Sequence, residues 1–161
     1  MDKLKPLVEL RRIVANLRAK GKTIVLANGC FDLFHVGHVR YLLAAKSKGD
    51  VLVVALNSDR SVRRLKGPGR PILPQKERAE ILEAFSFVDF VTIFGEPMVT
   101  KVLLALKPDV HVKGSDYTRE TVPERETVKS YGGRVAIVGG PKIRNTSDVV
   151  RDIRARLKRE T

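Results

Sequence analysis

Short unbroken runs of Val, Ile and Leu alternate along this chain with segments whose apolar residues recur every three or four positions. Leu7, Leu10, Val14 and Leu17 fall at helical spacing, with Pro6 at the start and Gly21 just past the end, so a first helix is predicted there. Residues 23–27 read as a short buried strand, and Val36 to Lys48 as a second helix. Gly49-Asp50 turns into the strongest strand pattern, 51–56, after which Asp59 is placed to cap a short helix running toward Leu65. Lys66 to Pro71 is a Gly/Pro loop, and Pro74 opens a helix over 75–84. Strands near 90–93, 110–112 and 134–138 then alternate with helices at 98–106, from Pro123 to Gly132, and from Thr146 to about Arg159. Continuous apolar strands separated by helices are buried on both faces, because each crossover lays a helix on the sheet. The prediction is an α/β, doubly wound, five-stranded parallel sheet with helices on both faces. The 161 residues make one domain, an N-terminal helix over 1–22 and a core over 23–161.

Composition narrows the setting. A hydrophobic share of 43% and a charged share of 30% are those of a globular chain. No apolar run is long enough to span a bilayer, and residues 1–6 lack the apolar stretch of a signal peptide. Cys30 is the only cysteine, which excludes an internal disulfide. A cytoplasmic location is expected, with no membrane partner. The net charge of +13 calls for an anionic partner, whether nucleic acid, a membrane surface or a phosphorylated metabolite, and charge alone does not choose. Much of it lies in the two terminal helical patterns, where Lys and Arg also serve as a solvated face.

The chemistry is expected where the first strand ends, since ligands of such sheets bind beyond the carboxyl ends of strands at the reversal of strand order. There the chain reads Asn28-Gly29-Cys30-Phe31-Asp32-Leu33-Phe34-His35-Val36-Gly37-His38. Two histidines flank a glycine at the mouth of a helix, whose free N–H groups favour anions. Gly37 admits a phosphate close to the backbone. Each imidazole can donate to a phosphoryl oxygen, and a histidinium would also neutralise charge. Cys30 and His111 lack the companions of a zinc site, so no protein-bound metal is expected. Neither a G-x-G-x-x-G turn nor a P-loop is present, and a nucleic-acid module would show interleaved aromatics that this chain lacks.

The stretch Asn28 to His38 resembles the signature of the HxGH nucleotidyltransferase superfamily, whose fold is Rossmann-like. Adding Asn57-Ser58-Asp59, Arg64 to Pro71, Val112 to Tyr117 and Tyr131-Gly132-Gly133, the chain resembles D-glycero-β-D-manno-heptose 1-phosphate adenylyltransferases over nearly its whole length. The resemblance implies transfer of AMP from ATP to the heptose 1-phosphate with release of pyrophosphate. Glycerol 3-phosphate with CTP, or another sugar phosphate with CTP or GTP, are the alternatives in the same class, and a basic nucleic-acid-binding module is the remote one. It also implies Mg²⁺ carried mainly by the nucleotide phosphates, and a homo-oligomer, a dimer first.

By the same resemblance, His35, His38 and Lys66 are the catalytic residues, Lys66 lying on a mobile loop. Asn28, Gly29, Cys30, Phe31, Gly37, Lys113, Gly114, Thr146 and Ser147 bind the nucleotide. Asp32, Arg78 and Asp116 contact the acceptor. Asp32 has an alternative role in orienting the turn, Arg78 as a solvated helix residue, and Asp116 as a turn cap. The transfer needs no enzyme nucleophile, so Cys30 is not expected to be one. One departure stands out: where relatives carry a Ser-Thr-Thr or Ser-Thr-Ser run before the last helix, this chain has Arg144-Asn145-Thr146-Ser147. Asn145 can still cap the helix, and Lys142 and Arg144 would add charge.

Overall fold

The computed structural model describes residues 2–141 and 145–159; Lys142 and Arg144, expected to add charge at the phosphate site, lie outside the described residues. The strands are β1 (Ile24–Gly29), β2 (Val51–Asn57), β3 (Phe90–Phe94), β4 (Val110–Gly114) and β5 (Arg134–Val138). They pair in parallel in the order β3-β2-β1-β4-β5. The helices are α1 (Leu7–Ala19), α2 (Val36–Lys46), α3 (Asp59–Lys66), α4 (Gln75–Ala84), α5 (Thr100–Leu106), α6 (Arg125–Ser130) and α7 (Thr146–Leu157). This is the predicted doubly wound α/β fold.

Side chains alternate across the sheet, so each strand feeds two cores. Val25 and Ala27 of β1 pack with Leu42 and Ala45 of α2 and with Ala79 and Leu82 of α4. Ile24 and Leu26 face the other way, toward Leu10 and Val14 of α1, Val102 to Leu106 of α5 and Val128 of α6. Every residue of β2 is buried, as expected for a strand flanked on both edges and covered on both faces. The strand order reverses at β1, which pairs with β2 on one side and β4 on the other. The connections therefore diverge above the β1–β4 boundary and leave a crevice there.

Three details depart from the sequence reading. β1 runs on through Asn28 and Gly29, which were expected in the loop, so the ladder carries the start of the signature to the crevice. Ser58, not Asp59, caps α3, its side chain accepting from the Ser61 N–H. Residues 3–5 add a short parallel pairing on the outer edge of β3, with Lys5 N–H donating to Val91 O and Val91 N–H to Lys3 O, both at 2.9 Å. The Glu83 carboxylate holds that segment by accepting from the N–H groups of Lys3 and Leu4.

Candidate active site at the head of the sheet

An open cavity of about 600 Å³ lies over the crevice. One wall is the β1–α2 turn, the second is the end of β4 and the loop to Tyr117, and the third is residues 139–141 with the start of α7. Lys66 and Arg70 close the remaining side.

The β1–α2 turn is interlocked. Phe31 adopts a left-handed conformation with φ of 46°, uncommon for a bulky residue, and is almost fully buried. Its ring would lie 3.0 Å from a Cβ at Gly29, so any side chain there would push the ring aside by a few tenths of an ångström. The same ring meets His38 edge-on with centroids 5.2 Å apart and stacks on Phe34 at 5.7 Å. Phe31 is thus the floor on which the histidine pair rests. His35 caps α2: its Nδ1 accepts from Gly37 N–H at 3.1 Å, which leaves any proton of the neutral ring on Nε2. The rings of His35 and His38 stack with centroids 3.9 Å apart. Burial, with His35 adding to it, lowers the His38 pKa to about 4. His38 is therefore neutral near pH 7, which leaves it the hydrogen-bonding role expected of it and not the added charge of a histidinium.

Two residues expected at the acceptor have other attachments. Asp32 is in the cavity wall, but one carboxylate oxygen accepts from Ile72 and Leu73 N–H and the other from Arg70 Nη1 at 3.0 Å. It ties the loop after α3 to the signature turn and carries Arg70 with it. Arg78 is neither at the substrate nor on a solvated face, because it is wholly buried. Its guanidinium donates to the carbonyls of Leu73, Cys30 and Asn57 and to Asp59 Oδ1. Those partners belong to four different segments, so Arg78 pins the signature turn, the end of β2, the start of α3 and the loop before α4 at one point. A planar fork with five donors suits such a junction where lysine would not.

The other expected residues lie along the cavity: Asn28, Cys30, Gly37, Lys66, Lys113, Gly114, Asp116, Thr146 and Ser147. Burial raises the Cys30 thiol pKa, the reverse of what an activated nucleophile needs. Lys113 is buried, 3.4 Å from Glu124 Oε2 and 5.3 Å from the centre of the Tyr117 ring. Burial lowers its pKa, and Glu124 opposes that shift. At α7, Asn145 Oδ1 accepts from Asp148 N–H while the Asp148 carboxylate accepts from Asn145 N–H. This reciprocal capping box preserves the helix start despite the missing hydroxyl, and Thr146 and Ser147 remain on the cavity.

Sequence reasoning missed Arg40, Tyr41, Arg70 and Tyr117, which also line the cavity. Arg70 had the same signal as Lys66, a cation in a Gly/Pro loop, and Tyr117 ends a segment that carried the resemblance; Arg40 and Tyr41 follow from tertiary placement alone.

The cytidylyltransferase-like family matches residues 26–154. The bifunctional protein HldE of Syntrophotalea carbinolica is 49% identical over 144 residues, 89% of this chain and 29% of that protein. HldE of Geobacter metallireducens is 52% identical over 148 residues, 92% of this chain and 30% of its own length. The chain thus spans under a third of these relatives. Among solved structures, the lipopolysaccharide core biosynthesis protein of Thermoplasma volcanium is 30% identical with a TM-score of 0.63, over 77% of this chain and all of that one. A pantoate-beta-alanine ligase of Francisella tularensis, 18% identical with the same TM-score over 89% of this chain and 68% of that one, shares the fold. Taken with the stacked histidines at the sheet's reversal point, the match places the chain in the cytidylyltransferase-like family of nucleotidyltransferases.

Proposed function

We propose that this protein transfers AMP from ATP to D-glycero-β-D-manno-heptose 1-phosphate, giving ADP-heptose and pyrophosphate in the cytoplasm. The observation that carries the reading is the stacked His35–His38 pair, resting on Phe31 and opening onto a cavity lined also by Lys66, Lys113 and the start of α7. These are anion-binding groups converging from four elements, α2, α3, β4 and α7. The HldE relatives and the lipopolysaccharide core protein support the choice of a heptose acceptor.

In this reading an oxygen of the sugar phosphate attacks the α-phosphorus in line. A new P–O bond forms as the bond to the β-phosphate oxygen breaks, and pyrophosphate leaves with that electron pair. His35 and His38 donate from Nε2 to the α-phosphoryl oxygens, where negative charge grows. Lys66 approaches both phosphate-bearing substrates from the loop side. Positioning and charge stabilisation supply the catalysis, without an enzyme nucleophile. Mg²⁺, when bound, neutralises polyphosphate charge. Asp32, with both oxygens engaged, is not placed to hold it, and the nucleotide phosphates would carry the ion. The assembly proposed is a homodimer, consistent with exposed apolar side chains on α2 (Leu43) and α7 (Ile153, Leu157).

Pyrophosphate release, measured with ATP and heptose 1-phosphate beside CTP and glycerol 3-phosphate, tests the assignment. Turnover is expected only with the first pair. Release with CTP and glycerol 3-phosphate alone would overturn the choice of substrates.

A further inference from the structure

His111 has no part in the transfer described above, yet it is a wholly buried imidazole in the middle of the sheet. In register with Leu26 of β1 and Val135 of β5, it occupies a position where an aliphatic side chain would pack at lower cost. Its Nε2 lies 3.0 Å from Oδ1 of Asn28, on the far side of the crevice where strand order reverses. We infer that His111 is a positioning residue for the nucleotide, fixing the Asn28 carboxamide so that its NH₂ group, and not its oxygen, faces the cavity. The inference rests on the cavity being the nucleotide site.

The argument turns on where the imidazole carries its proton. Burial, with the charge of Lys113 acting in the same direction, lowers the His111 pKa to about 3, so the ring is neutral and has one donor and one acceptor. Nδ1 is buried and has no partner among the described residues. A proton on Nδ1 would strand a buried N–H donor, whereas a proton on Nε2 leaves only an unfilled lone pair, the lesser fault. The Nε2–H therefore donates to Asn28 Oδ1. Turning the Asn28 amide over would set its NH₂ against that N–H, so the orientation is locked. With its oxygen engaged, Asn28 offers the cavity two donors and no acceptor. It thus selects ligand atoms that accept, such as the phosphate oxygens, ribose oxygens or ring nitrogens of a nucleotide. A leucine at 111 would fill the space but leave the amide free to rotate.

Calorimetric titration of ATP into the full chain tests this, using His111→Leu, His111→Gln, Asn28→Ala and the Asn28→Ala/His111→Leu double variant, with melting temperatures in parallel. His111→Leu is expected to weaken ATP binding about tenfold, the worth of one positioned hydrogen bond. His111→Gln, whose amide can donate to Asn28, should recover most of that. In the Asn28→Ala background, His111→Leu should add nothing. In turnover, KM for ATP should rise while KM for the acceptor stays put. The ¹⁵N shifts of the wild-type imidazole should place the proton on Nε2, a readout that requires no variant to fold. A proton on Nδ1, unchanged ATP affinity in His111→Leu, or an equal loss in the Asn28→Ala background would each overturn the positioning role. Wild-type protein that binds no ATP would instead overturn the nucleotide reading itself.

Discussion

The two walls that would grip a nucleotide's phosphates are built in opposite ways. At the β1–α2 turn, Gly29, Phe31 and the two histidines interlock, and the turn is pinned from behind by Arg78 and joined through Asp32 to the loop after α3. At α7, no residue is fully buried, and the helix start is organised by its own Asn145–Asp148 box. Side chains locked by packing lose little freedom when a ligand arrives, so the first wall suits the reacting α-phosphate, where geometry governs rate. A wall with few core contacts has a lower local stability and adjusts more readily to what it binds.

This contrast can be broken at its strongest point first. Arg78→Met removes the junction behind the turn, leaving three carbonyls without the guanidinium and Asp59 with only the Gln75 N–H. A loss of about 3 kcal/mol is expected, because each carbonyl that loses its donor costs on the order of 1 kcal/mol or more. Thermal or urea unfolding reads it, and a change within noise would deny that Arg78 holds the turn. Next, His35→Ala or His38→Ala should lower kcat by about 10²-fold or more, as loss of a charge-stabilising donor does. Steady-state pyrophosphate release checks this.

The third test uses pH. His38 titrates near 4 in the folded chain against an ordinary 6.5, so the unfolded state takes up its proton first as pH falls. The contribution of neutral His38 to stability is complete above about pH 6.5 and is lost on going down toward about 4. His38→Asn should flatten that part of the stability–pH curve. A smaller effect is expected on the other wall: Asn145→Ala should cost about 1 kcal/mol of α7 stability, and Asn145→Ser little, read by hydrogen exchange along the helix. Smallest of all, Cys30→Ala should leave kcat within about twofold, since burial outweighs the Lys66 and Arg78 charges and holds the thiol protonated.

What was legible in the residues follows the same division. The apolar runs of β1 and β2 announced the sheet because a strand buried on both faces has to be apolar throughout. The two-histidine glycine turn stood out because its residues are adjacent in the chain. Arg78 was misread because a lone arginine on a predicted helix looks the same whether solvated or buried; only the carbonyls of Leu73, Cys30 and Asn57, brought from separate segments, distinguish the two. His111 was read only as an unsupported metal ligand, since its partner Asn28 is 83 residues away. Asp59 was taken for a cap because Ser58 and Asp59 are both good capping residues, and Arg78 and Gln75 claim the aspartate once the chain has folded.

The pairing of residues 3–5 with β3 bears on how the chain is handled. A sheet margin without a neighbour presents a row of amide donors and acceptors to any passing strand, and here the first few residues occupy that row at Val91. Trimming the chain to the helix at Leu7, or replacing the opening residues with a tag, would uncover it. Self-association through backbone pairing would then compete with the native fold, even though the cavity at the head of the sheet is untouched.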